Sequence, residues 1–246
     1  WPIIGRNSIP EWLATMMARS SSRNRFRARS FPYRWDDSYP ARVGVLRRDG
    51  DGRDVRWFDV EPCYVFHPLN AYQDRDTIVV DLVRHPRMFD TVTIGPDEGP
   101  PTLERWTVDL SAGKVREERL DDRPQEFPRT DDRRTGHRHR YGYTVAIAGH
   151  QSGDTVLRHD LVSGQARARA FGPGRSAGEF TFVPNTADAA EDDGVLMGYV
   201  QHAAQGRTDL VLLDAQTLED IATVHLPVRV PAGFHGNWIP APGTQP

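Results

Sequence analysis

Four stretches of this 246-residue chain repeat one plan, and no other feature narrows the fold as much. Each runs strand, polar turn, second strand, then a single polar side chain in a loop marked by proline. They are VGVLRRDGDGRDVRWFDVEPCYVFHPLN, closing on His67; LERWTVDLSAGKVREERLDDRPQEFPR, closing on Glu126; TVLRHDLVSGQARARAFGPGRSAGEFTFVP, closing on Glu179; and TDLVLLDAQTLEDIATVHLPVRVPAGFHGNWIP, closing on His235. Within them DLSAGK, DLVSGQ and DAQTLE are one kind of Asp-initiated hairpin turn. The closing residues stand 59, 53 and 56 positions apart. A β repeat of about 40–50 residues, or a little more, is the period of a propeller, one four-stranded blade per unit. Equivalent positions of successive blades face the shared axis, so His67, Glu126, Glu179 and His235 are expected to converge.

Strand signals dominate elsewhere too. TIVVDLVRH (77–85), RYGYTVAIAG (140–149), GVLMGYVQH (194–202) and TDLVLLDA (208–215) are short, rich in β-branched or aromatic residues, and bounded by Gly, Asp or Pro. One helix is expected, IPEWLATMMARS (9–20), with Trp12, Leu13, Met16 and Met17 at helical spacing for packing on a core. SSSRNRFRARS (20–30) reads as a solvated basic loop. The expected division is an atypical segment 1–30 followed by a propeller portion 31–246.

Composition removes several function classes. A net charge of −3 gives no general electrostatic reason to bind nucleic acid. A single cysteine, Cys63, excludes an internal disulfide framework and fits a reducing, cytoplasmic setting. No apolar run reaches the ~20 residues of a membrane span. There is no Walker loop, GxGxxG, serine elbow or CxxC pair.

Two imidazoles and two carboxylates on one axis suit a divalent transition metal, Fe, Zn, Cu or Ni. The carboxylates can bind it directly, or accept the outer N–H of each ligating imidazole and so fix its tautomer and direction. The competing reading has the glutamates capping strand ends and the histidines as satisfied core groups.

The flanking residues FHPLNAY (66–72), EFPR (126–129), RYGYT (140–144), GEFTFVP (178–184), EDDGVLM (191–197) and GFHGNWIP (233–240) together resemble the carotenoid cleavage oxygenases, non-haem iron enzymes that split conjugated double bonds with dioxygen. The resemblance covers roughly residues 31–240. It implies an all-β fold, a seven-bladed propeller of which this chain matches about four C-terminal blades, with dome loops above. It implies Fe(II) held by four histidines, His67 matching the third and His235 the fourth, with Glu126 and Glu179 matching two of three glutamates that orient the imidazoles. The implied reaction cleaves a C=C bond of a carotenoid or apocarotenoid with O2 into two carbonyl products. A stilbene substrate, or a propeller remnant acting as a scaffold, are the alternatives. An apolar polyene would reach the metal through a tunnel, for which Phe66, Tyr72, Phe234 and Trp238 are the candidates with Phe89 beside them, and uptake would involve peripheral contact with a membrane. No obligate protein partner is implied.

The pattern departs in places. Phe180 stands where the family's Gly-Glu-Pro has proline. The first two ligand histidines belong upstream of FPYRW, where residues 1–30 hold no histidine, and the chain opens on Trp1. A cut-short chain with two ligands is therefore expected to bind iron weakly and not to turn over. The glycines around His235 are expected to let the backbone turn sharply. His137 and His139 in TGHRHRYGY read as a solvated loop. His85, His150, His159, His202 and His225 have no partner spacing and read as surface or strand-edge residues; Cys63 reads as buried packing.

Overall fold

A computed structural model of the chain describes residues 33–91, 98–148 and 151–240. The expected helix, the basic loop and the boundary near residue 30 lie outside the described residues, as does His150. Among the described residues the strands in order are β1 (Ala41–Val45), β2 (Arg56–Val60), β3 (Pro68–Asp74), β4 (Thr77–Arg84), β5 (Thr102–Asp109), β6 (Lys114–Asp121), β7 (Gln125–Arg129), β8 (Tyr141–Ala148), β9 (Gln151–Asp160), β10 (Gln165–Ala170), β11 (Arg175–Pro184), β12 (Gly194–His202), β13 (Arg207–Asp214) and β14 (Asp220–His225). They form three four-stranded antiparallel sheets, β3-β4-β5-β6, β7-β8-β9-β10 and β11-β12-β13-β14, and a two-stranded pair β1-β2. Each larger sheet is a meander of consecutive strands, the blade topology that the repeat implies.

The blades are phased differently from the sequence repeat. Each of the first three repeats takes two strands of one sheet and the polar residue beside or within the first strand of the next, and the fourth takes β13, β14 and His235 in the loop beyond them. Glu126 lies in β7 and Glu179 in β11, while His67 immediately precedes β3. The four repeats therefore resolve as three complete sheets and a two-stranded one.

The sheets stack face to face. Residues alternate across β4: Ile78, Val80 and Leu82 pack with Val43, Val60, Cys63 and Val65 on the β1-β2 side, while Val83 joins a separate cluster with Leu69, Leu103 and Leu161. Burial on both faces explains why TIVVDLVR is an almost unbroken apolar run. A larger cluster joins the second and third sheets, with Tyr143, Val145 and Val156 meeting Phe180, Phe182, Leu196 and Leu213. Phe180, the departure from the family's proline, lies in this core at 2% exposure. Its ring stacks on Phe171 at 6.0 Å and covers Gly198, where a Cβ would sit 2.6 Å from a ring carbon.

The outer hairpins are built as the repeat suggests. Asp109 Oδ1 accepts from the amides of Ser111 and Ala112, Asp160 Oδ1 from those of Val162 and Ser163, and Asp214 Oδ1 from those of Gln216 and Thr217. Four residues after each aspartate the backbone turns left-handed, at Gly113 (φ 69°), Gly164 (φ 72°) and Leu218 (φ 63°). Glycine takes that conformation freely. Leu218 takes it while buried at 2% exposure in the core, and that packing offsets a strain of about 1–3 kcal/mol.

Candidate metal centre

The three inner strands share one irregularity. β3 carries an extra residue between Pro68 and Asn70 relative to β4, β7 one between Glu126 and Arg129 relative to β8, and β11 one between Ala177 and Phe180 relative to β12. A bulge re-aims a side chain and bends the strand. Here each bulge lies at or next to an axial residue: His67, Glu126 or Glu179. In β7 the bulge holds Phe127 at φ 54°.

The four expected residues come together, three of them beside these bulges and His235 from the loop after β14. His67 Nδ1 lies 2.7 Å from Glu126 Oε2, and His235 Nδ1 lies 3.3 Å from Glu179 Oε1. The two Nε2 atoms are 3.2 Å apart. A carboxylate only accepts, so each imidazole places its proton on Nδ1 and leaves Nε2 as a bare lone pair. Two bare nitrogens at that distance repel unless a cation lies between them. Metal–imidazole bonds of about 2.1 Å meeting at a right angle would set two nitrogens about 3 Å apart. The donor set thus fits one side of a transition-metal site, with the glutamates in the orienting role rather than as direct ligands. Among the described residues no cluster of three or more His, Cys, Asp or Glu could hold a metal by itself.

Both glutamates are nearly sealed, with side chains 6% and 4% exposed. Burial alone would raise the Glu126 pKa. Hydrogen bonds from His67 and His85 outweigh that and hold it below the usual carboxylate range. Glu179 Oε2 accepts from the Gly236 amide at 2.9 Å, and Thr181 Oγ1 donates to the Gly236 carbonyl at 3.3 Å. Those contacts, not the glycines, shape the final loop. Neither Gly233 nor Gly236 has positive φ, and a Cβ on either would meet nothing within 4 Å, so the expected need for glycine there is not met.

The tunnel candidates separate. Phe66, 40% exposed, meets the His67 ring at 6.1 Å and joins an aromatic cluster with Tyr64, Phe89 and Tyr33. Trp238 lines a cleft of about 400 Å3 with Asn237, Pro240, Thr181, Phe182 and Asp131. Phe234 projects into solvent at 78% exposure. Tyr72 is buried elsewhere, edge-on to His139 and beneath Arg138.

Three site residues escaped sequence reasoning. Phe127 packs on both imidazoles, at 5.7 Å from His67 and 6.1 Å from His235. Arg129 reaches Glu179 at 3.8 Å and Asn237 at 3.5 Å. His85, expected at a surface or strand edge, is fully buried with Nε2 2.8 Å from Glu126 Oε1. Only the residues flanking Glu126 gave any hint of these contacts.

Other histidines also correct the expectation. His139 is buried against Asp81, 3.1 Å away, and Arg105 holds the same carboxylate through two bonds. His159 and His202 are buried too, and burial pushes His159 down to about 4. His137 and His225 are exposed.

The family model described as Retinal pigment epithelial membrane protein matches residues 9–240. The chain is similar to the carotenoid cleavage oxygenase of Mycobacterium tuberculosis, 47% identical over 250 residues that cover 97% of this chain and 49% of that protein. It is similar to the isoeugenol monooxygenase of Pseudomonas putida, 32% identical across 91% of this chain and 51% of that one. Among solved structures, cobalt-substituted Synechocystis apocarotenoid oxygenase superposes with a TM-score of 0.73 at 31% identity, over 82% of this chain and 44% of that one. The chain spans about half the length of the curated relatives it matches.

Proposed function

The chain belongs to the family of the carotenoid cleavage oxygenases, and we propose that it serves a non-haem iron dioxygenase that splits one conjugated C=C bond of a carotenoid or apocarotenoid into two carbonyl products. One observation carries this reading. Two imidazoles, each with its outer N–H on a nearly sealed glutamate, turn bare nitrogens toward each other at 3.2 Å.

When bound, the metal supplies the activation of dioxygen for attack on the alkene. His67 and His235 donate neutral nitrogens, so the charge of the cation is left undiminished. Glu126 and Glu179 keep the proton of each ring on Nδ1 and return electron density through it. Phe127 packs against both rings and helps to hold their directions. Both oxygen atoms of O2 end in carbonyl groups, so the balance requires no proton donor or acceptor, and the protein's task is to place one double bond. We place the remaining metal donors in the part of the relatives' length that this chain does not match.

The substrate class is tested with the full gene product, iron-loaded, against an apocarotenal, a hydroxylated stilbene and isoeugenol, with products read by mass spectrometry. Two labelled carbonyl products from the apocarotenal under 18O2, lost in H67A and H235A, support the reading. Turnover of only the phenolic alkenes moves the substrate to the phenylpropenoid class. Full turnover in H67A and H235A overturns it.

A further inference from the structure

Glu126 serves two histidines at once. Its Oε2 accepts from His67 Nδ1 at 2.7 Å, and its Oε1 lies 2.8 Å from His85 Nε2. The carboxylate comes from β7, in the second four-stranded sheet. Both imidazoles belong to the first, His67 just before β3 and His85 just after β4.

Several features single out His85. Its side chain is 1% exposed. Its backbone is fixed by paired bonds with Tyr64, N–H to carbonyl in both directions at 2.8 and 2.9 Å, and its ring stands edge-on to Phe66 at 5.0 Å. Among the described residues its Nδ1 has no hydrogen-bond partner. A proton there would be a buried, unanswered donor, whereas a proton on Nε2 points at a carboxylate oxygen. His85 thus carries its proton on Nε2, the position opposite to that of His67.

The second glutamate shows what this contact does. Glu179 also spends one oxygen on its histidine, and its other oxygen accepts from the Gly236 amide at 2.9 Å. In both pairs a donor that is not part of the metal-facing ring pins the spare oxygen. The backbone does this for Glu179 and a buried side chain does it for Glu126. Glu126 Oε2 also accepts from the Phe127 amide at 2.5 Å, and His85 holds the other oxygen, so the two contacts together set the rotation of the carboxylate that faces His67.

We propose that His85 is a positioning residue of the metal centre. By holding Glu126, it fixes the tautomer and direction of His67. The consequence for a metal rests on the function proposed above, but the hydrogen-bond chain does not.

The test is long-range 1H–15N correlation NMR on the chain labelled with 15N-histidine, followed by titration with Co2+ alone. Unmodified protein should show His85 protonated on Nε2 and His67 on Nδ1. The ring-shaped but non-donating H85F should shift His67 toward a mixture of tautomers and weaken Co2+ binding at His67 by about tenfold, the low end for groups behind a ligand. H85Q, whose amide can donate to Oε1, should restore most of both. A His85 proton on Nδ1, or a folded H85F with His67 tautomer and Co2+ response unchanged, overturns the proposal. If H85F fails to fold, the two tautomers in the unmodified chain and the response of H85Q decide it. Opposite tautomers without Co2+ binding would sustain the positioning role and count against the metal function.

Discussion

Replacing Glu126 by alanine is expected to destabilise the chain by about 3 kcal/mol. The largest part comes from His85, whose buried N–H loses its acceptor and cannot reach water, worth about 1–3 kcal/mol. His67 keeps a side chain 25% exposed, so solvent replaces its lost partner and the loss is about 0.5–1.5 kcal/mol. Removing one buried methylene contributes roughly 0.8 kcal/mol. Relief of burying a carboxylate offsets part of this. With a urea dependence near 2 kcal/mol per molar, the midpoint should fall by about 1.5 M at unchanged slope. E126Q keeps the methylenes and one acceptor oxygen and should fall by only about 1 M. The carboxylate is held below its ordinary pKa, so its contribution is complete above an unfolded value of about 4.3 and disappears as pH drops through the lower folded value. The gap between unmodified protein and E126Q should therefore hold steady from pH 7 to pH 5 and close below about pH 4. A midpoint change under about 0.5 M for E126A, or E126Q as damaging as E126A, would refute the shared-carboxylate account.

Two further outcomes follow from the packing. G198A should lose about 1–3 kcal/mol in chemical unfolding, because its Cβ strikes the Phe180 ring, and the penalty should nearly vanish in an F180A background. Cys63, half-buried with its thiol pushed up to about 11 by burial, should react with a thiol reagent at pH 7.5 more slowly in the folded chain than in the urea-unfolded one, read by mass spectrometry.

The axial set was legible because a propeller converts sequence period into spatial convergence. His67, Glu126, Glu179 and His235 needed only matching positions in successive repeats, and the Asp-initiated turns marked the outer hairpins equally well. The phase of the blades was not legible: His67, Glu126 and Glu179, which close the first three repeats, lie beside or within the first strand of the next sheet. His85 was missed because its place comes from a two-residue bridge to Tyr64 and a carboxylate 41 positions away, neither of which leaves a local pattern. His139 was misread as solvated because Asp81, its partner, lies in the middle of an apolar strand on another sheet. Phe127 follows Glu126 directly, yet only the left-handed turn of the bulge sends its ring over both histidines. The glycines of GFHG suggested a tight turn, whereas Glu179 and Thr181 hold that loop through Gly236.

The central claim is that His67 and His235 face one cation together. Co2+, the ion in the solved Synechocystis relative, can be titrated into the 15N-histidine-labelled chain while each imidazole is followed separately. The account predicts that the His67 and His235 signals broaden together, at a lower metal concentration than those of exposed His137 and His225, and that H67A removes the response of His235. Broadening of His137 or His225 first, or a His235 response unchanged in H67A, would contradict it.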